Sequence, residues 1–102
     1  MGPIAMTIDE FKATLNDTTP PAVPPVLRAM WHAGKGQWDE AHRIAQDVND
    51  QSGAWVHAHL HRVEGDLGNA RYWYRQASQP EAFDSLDAEW LRIADALVKV
   101  IS

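Results

Sequence analysis

The sequence predicts an all-α fold of two stacked helical hairpins, with an N-terminal helix and a C-terminal capping helix. Two segments, 29–45 and 58–74, repeat the same order of residue types 29 residues apart. The matching positions are Ala29 and Ala58, His32 and His61, Gly36 and Gly65, and Ala41 and Ala70. A period of this size is typical of hairpins that bury their apolar faces by stacking. Elsewhere the apolar residues recur at helical spacing rather than in the alternation of a strand.

The first 25 residues are predicted to form a short start, a helix and a linker. Residues 1–6 are expected to be a disordered or vector-derived start. An N-terminal helix is predicted over 7–17, where Thr7 and Glu10 have the spacing of a capping box. Four prolines lie in the linker, residues 18–25. Proline fixes φ and lacks a backbone donor, so this linker is expected to be extended.

Residues 26–102 are predicted to form the hairpin domain. The first hairpin pairs a helix over 26–33 with a helix that begins near Trp38, and the second pairs 54–64 with 69–78. Glycines in the short breaks between paired helices favour a chain reversal there.

The last helix has the clearest amphipathic pattern in the chain. Its apolar residues follow a three-four spacing, which predicts one buried face: Leu86, Trp90, Ile93, Leu97 and Val100. Asp84 or Ser85 is expected to cap this helix, and Ser52 the fourth helix.

Composition and charge exclude several classes of function. Cysteine is absent from the 102 residues, which excludes disulfides, thiolate catalysis and cysteine-based zinc sites. The net charge is −5 and no run of Lys or Arg occurs, so nucleic-acid binding is not expected. No apolar stretch approaches the roughly 20 residues of a membrane span. Without a recognisable signal peptide, we expect a cytoplasmic protein.

One resemblance concerns the repeat itself. A pattern of a glycine, then an aromatic residue or leucine, then spaced alanines resembles the second half of a tetratricopeptide repeat. It occurs twice, at Gly36, Trp38, Ala41 and Ala45 and again at Gly65, Leu67, Ala70, Tyr74 and Ala77. The resemblance covers about residues 25–80 and implies closely packed helix pairs. The spacing departs from the family's, at 29 residues instead of about 34, so the chain is tetratricopeptide-like.

A second resemblance concerns polar and aromatic residues. Four segments have a residue pattern that is similar to that of a group of short uncharacterised proteins. These segments are Trp31-His32, Trp38-Asp39-Glu40-Ala41-His42, His57-Ala58-x-Leu60-His61-Arg62-x-Glu64-Gly65-Asp66 and Asn69-Ala70-x-Tyr72-Trp73-Tyr74-Arg75. This resemblance implies no activity, but it implies that these residues belong together as a set.

Histidines supply the candidate metal site. His57 and His61 are four residues apart on a predicted helix, so their rings share one face, which Glu64 continues. The repeat places His32 at the matching position of the preceding hairpin. Two imidazoles and a carboxylate are a familiar ligand set for zinc or another divalent metal, so His32, His57, His61 and Glu64 form the candidate site. The alternative is that these histidines cap carbonyls or pair with nearby acids.

Aromatic residues and arginines supply a candidate binding surface for a protein or peptide. Trp, Tyr and Arg dominate binding hot spots. The predicted partner-binding residues are Trp31, His32, Arg62, Tyr72, Trp73 and Arg75. Two alternatives weaken this interpretation. Trp73 is expected to pack against Trp90, and the arginines, with Arg71, form either an anion pocket or internal ion pairs.

No catalytic residue can be assigned, because no nucleophile elbow, phosphate loop or dinucleotide motif occurs. The function predicted is therefore a small helical-repeat binding or scaffolding module for a protein or peptide, without a cofactor. The alternative is a protein that binds zinc, another divalent metal or a small ligand through its histidines, with hydrolysis as an accompanying activity. A homo-oligomer formed through the C-terminal helix is compatible with the first function.

Overall fold

The all-α prediction is confirmed. The computed structural model describes residues 6–101, with side chains through residue 100, and every regular element in that part of the chain is helical. The α-helices are α1 (Ile8–Ala13), α2 (Pro25–Gly34), α3 (Trp38–Gln46), α4 (Gln51–Val63), α5 (Leu67–Ala77) and α6 (Leu86–Ile101), and a short 3₁₀ turn, Thr14–Asn16, follows α1.

The N-terminal helix begins with the predicted capping box. The Thr7 hydroxyl accepts from the Glu10 amide, and the Glu10 carboxylate accepts from the Thr7 amide. This helix is part of the core, because Phe11 is fully buried and its ring stacks on Trp90 with centroids 6.0 Å apart. Met6 also packs against the core, so the predicted loose start does not extend to that residue. The rest of that prediction, on residues 1–5, lies outside the described residues.

Residues 18–24 contain no helix, whereas Pro25, the last residue of the predicted linker, is the first residue of α2. Proline suits this position because the first amide of a helix has no intrahelical partner. After α2 the chain reverses through Gly36, whose φ is +76°, and after α4 through Gly65, whose φ is +83°. Both angles lie in the left-handed region that favours glycine.

Two predicted helix starts need correction. Asp50, not Ser52, caps α4, because its carboxylate accepts from the Gly53 amide. Asp66 caps α5, which therefore begins at Leu67, two residues earlier than predicted. A carboxylate at these positions also complements the positive end of the helix dipole. At the last helix, the Ser85 hydroxyl accepts from the amide of Ala88, as expected for a cap.

The helices pack in the order that the hairpins imply. Helix α2 lies against α3, α4 against α5, and α3 against α4, which joins the two pairs. Helix α6 contacts α1, α2 and α4 and completes the main core. The largest fully buried apolar side chains in it are Trp31, Phe11, Leu27, Met30, Leu60, Ile93 and Val56. In the described part of the chain, no helix is long and apolar enough to cross a membrane.

Candidate functional site

Three histidines converge where α3 packs against α4. His57 and His61 lie one turn apart on α4, as their spacing predicts. His42 reaches them from α3, and one ring nitrogen from each residue lies within 4.8 Å of the others. We refer to His42, His57 and His61 as the histidine cluster.

Two tryptophans hold the rings of the cluster. Trp73 stacks on His57 with centroids 4.0 Å apart and an interplanar angle of 12°. His57 in turn stacks on His61 at 4.8 Å, and Trp38 stacks on His42 at 4.7 Å. His42 meets His57 edge-on at 4.5 Å. The indole of Trp38 is itself anchored, since its Nε1 donates to the Leu60 carbonyl at 2.6 Å.

Burial favours the uncharged form of two rings of the cluster, those of His42 and His57. His57 and His61 are 6% and 7% exposed, and His42 is half-buried. Burial, followed by the charges of His42 and His61, lowers the pKa of His57 to about 4. Burial and the neighbouring His61 also lower the pKa of His42. A neutral imidazole offers the lone pair that a metal ion needs, so His42 and His57 are prepared for coordination.

Glu64 orients the third ring. Its Oε1 lies 2.7 Å from Nδ1 of His61, which leaves Nε2 of that ring for a ligand. A carboxylate behind a ligating histidine is a common feature of metal sites. Glu64 also belongs to a second convergent group, with His61 and Asp66, but both carboxylates are exposed there.

A pocket of about 390 Å³ opens beside the histidine cluster. His57 and Trp73 form part of its wall. The rest of the wall comes from the end of α3, its connection to α4, the start of α4 and the second half of α5. Its polar residues are Gln46, Asn49, Asp50, Gln51 and Gln76. A small molecule in this pocket would therefore contact His57.

His32 does not join the cluster, although the repeat predicts it there. Its Nδ1 lies 2.6 Å from Oε1 of Gln37, in the turn after α2. His42 takes the predicted place because α4 packs directly on α3. In the sequence, His42 lies four residues after Trp38, which places these two side chains on one helix face. Its proximity to His57 depends on the packing of α3 against α4, which the sequence does not show.

The predicted partner-binding residues do not share one surface. Trp31 is 1% exposed and donates from Nε1 to the Thr14 carbonyl, so it is not available to a partner. Arg62 is turned towards buried Glu89. The remaining predicted residues reach the surface fully or in part, namely His32, Tyr72, Trp73 and Arg75. Binding of a protein or peptide stays a prediction for these.

The expected contact between Trp73 and Trp90 is absent from the described side chains. Trp73 stacks on His57, and Trp90 stacks on Phe11 and donates to the Met30 carbonyl. Internal pairing is found for two of the arginines: Arg62 pairs with Glu89 and Asp84, and Arg71 pairs with Glu81. The C-terminal helix, which is predicted to form a homo-oligomer, is also partly covered by its own chain, since Trp90 and Leu97 are 9% and 2% exposed.

A buried polar network forms a second functional candidate, which sequence reasoning missed. Glu89 is fully buried, and its Oε1 accepts from Arg62 at 3.0 Å and lies 2.7 Å from Nδ1 of His59. The Tyr74 hydroxyl donates to Oε2. Burial raises the pKa of Glu89, but the hydrogen bonds from His59 and Tyr74 outweigh it, and the pKa lies below its usual value. Burial and the bond to Glu89 raise the pKa of Tyr74.

Comparison with known proteins gave no matching family model, no matching curated protein and no matching solved structure. The interpretation of the site therefore depends on the geometry of its own residues.

Acid should destabilise the metal-free protein through His57. Its pKa is about 4 in the folded chain against 6.5 ordinarily, so the folded state binds fewer protons between these pH values. Stability is then fully present above pH 6.5 and is lost as the pH falls towards 4. Between about pH 7 and about pH 5, we expect a loss on the order of 2 kcal/mol in the free energy of unfolding.

Urea unfolding at the two pH values, in the presence of a chelator, measures this loss. The variant His57→Phe keeps the stack on Trp73 without a titrating group, so its stability should depend less on pH. An equal loss in the variant and the natural protein would show that His57 is not responsible.

Proposed function

We propose that this protein binds a divalent transition-metal ion, Zn²⁺ in the first instance, through the histidine cluster. The observation that carries the proposal is the convergence of three imidazole nitrogens from two helices within 4.8 Å. Imidazole is a preferred ligand of zinc, nickel and copper. Three histidines with an open fourth position are also a ligand set of catalytic zinc sites.

The surroundings of the cluster support the proposal. Tetrahedral zinc at about 2.0 Å from each nitrogen needs ligand atoms about 3.3 Å apart, so the rings close by a small movement on binding. Glu64 fixes the orientation of His61, and Trp38 and Trp73 fix the outer rings of the cluster. The pocket beside His57 leaves room for water or a small ligand on the metal.

Metal titration of the purified protein tests this proposal. We expect Zn²⁺ and Ni²⁺ to raise the melting temperature, because an ion that binds only the folded state stabilises it. Mn²⁺ should have a much smaller effect, since it prefers oxygen ligands. The variants His42→Phe, His57→Phe and His61→Phe should each weaken zinc binding by roughly a hundredfold or more, as measured by calorimetry, and Glu64→Gln by roughly tenfold.

The matched control is His32→Phe, which changes the one histidine of the predicted set that lies outside the cluster. It should leave zinc affinity unchanged. If His42→Phe retains affinity while Glu64→Gln and Asp66→Asn lose it, the metal lies in the second, exposed group instead. No change in melting temperature with any of the ions would overturn the proposal.

A further inference from the structure

A second pocket, of about 570 Å³, lies between helices α1, α2, α4 and α6. Its size is within the range of small-molecule sites in proteins. The walls are mainly apolar, with Lys12 and Asp87 as the charged residues among them, and the main apolar side chains are Leu15, Val63, Leu86, Trp90 and Leu91.

His59 is the buried polar group of this pocket. It is 2% exposed and belongs to the lining. His59 lies two residues after His57 on α4, or about 200° around the helix, which separates its ring from the histidine cluster. The pocket and the cluster have no residue in common.

The buried network determines which nitrogen of His59 is available. Oε1 of Glu89 accepts from Arg62, which can only donate, and the hydrogen bonds to Glu89 hold the pKa of this carboxyl below its usual value, so this oxygen acts as a carboxylate acceptor. Nδ1 of His59, 2.7 Å from the same oxygen, therefore carries a proton and donates it. In the neutral ring, Nε2 then has the lone pair and is the nitrogen that Glu89 leaves unoccupied.

The network also holds the ring in place. Glu89 is tied by Arg62 and Tyr74 as well as by His59, and it is fully buried. Burying a charged network is costly and is weak evidence for stability alone. An oriented acceptor among apolar walls is instead the arrangement of a ligand site, where a few polar groups fix the orientation.

We infer that this pocket binds a small apolar molecule with one hydroxyl group, which donates a hydrogen bond to Nε2 of His59. The apolar body lies against Trp90 and Leu86. This inference does not depend on metal binding, because the two sites use different residues.

A matched pair of probes tests the inference in the full chain. para-Propylphenol can donate to Nε2, whereas its methyl ether, para-propylanisole, cannot. We expect the phenol to bind and the ether to bind at least roughly tenfold more weakly, because the ether leaves the buried acceptor unpaired. The ring nitrogens of His59, followed by NMR, should shift at Nε2 on addition of the phenol.

Two variants separate the pocket from the fold. Ala88→Phe places a ring in the pocket from a position that is exposed, so it should remove phenol binding without unfolding the protein. His57→Phe should leave phenol binding unchanged. Equal affinity for the phenol and the ether, or no shift at Nε2 up to millimolar phenol, would overturn the inference and leave solvent as the only occupant.

Discussion

Replacing Glu89 with alanine is expected to lower the free energy of unfolding by about 3–5 kcal/mol, the usual cost of removing one partner from a buried ion pair. The substitution leaves Arg62, His59 and Tyr74 without their common acceptor in the interior. Since small domains are stable by only about 5–15 kcal/mol, leaving these three groups unpaired should remove a large share of the stability.

Urea unfolding of Glu89→Ala and Glu89→Gln measures this effect. The glutamine keeps the shape and one acceptor, so it should lose less than the alanine variant. Glu40→Ala is the control, because Glu40 pairs with Arg43 on the surface, and its unfolding midpoint should hardly change. A loss of less than about 1 kcal/mol in Glu89→Ala would show that the network does not hold α4, α5 and α6 together.

Replacing Trp31 with alanine is expected to lower the free energy of unfolding by about 3–5 kcal/mol, as for other large aromatic side chains in a core. Trp31 is 1% exposed, and its indole donates at 3.0 Å to the carbonyl of Thr14. The substitution therefore opens a cavity and removes the hydrogen bond that joins α2 to the turn after α1.

Tyr72→Ala provides the comparison, because Tyr72 is 46% exposed and was predicted for the same partner surface. Its truncation should change the free energy of unfolding by less than about 1 kcal/mol. Similar losses for the two variants would contradict the different positions that the structure gives these residues.

The fold was largely predictable because its signals are local. A capping box at Thr7, a proline at the start of α2 and glycines at the reversals each act within one turn of chain. The starts of α4 and α5 were misplaced since Asp50 and Asp66 compete with nearby serine and glycine signals. Only the structure shows which carboxylate bonds a free amide.

The histidine cluster was predictable only in part, because one of its three residues joins it through the packing of one helix against another. His57 and His61 share a face by their spacing alone, so the sequence correctly places them together. His42 comes from another helix, and its approach depends on how α3 lies against α4. The repeat favoured His32, but equivalent positions in two hairpins need not be neighbours in space.

The dependence on helix packing also explains why Arg62 and Trp31, which the sequence predicts on a binding surface, lie in the interior. Their residue types are typical of binding hot spots, and equally of a buried pair and a core. Glu89, the partner of Arg62, lies 27 residues away in sequence on α6. Its spacing, three residues after Leu86 and four before Ile93, places it beside the apolar face, but a glutamate is ordinarily expected to face solvent. Exposure of a side chain is decided by which helices cover it, and that information is not local.

Anomalous diffraction from crystals grown with zinc would test the metal site most directly. Data collected at the zinc absorption edge should show a peak about 2.0–2.1 Å from one nitrogen each of His42, His57 and His61. A peak held instead by His61, Glu64 and Asp66, or no peak between the three rings, would contradict the proposal that the histidine cluster binds the metal.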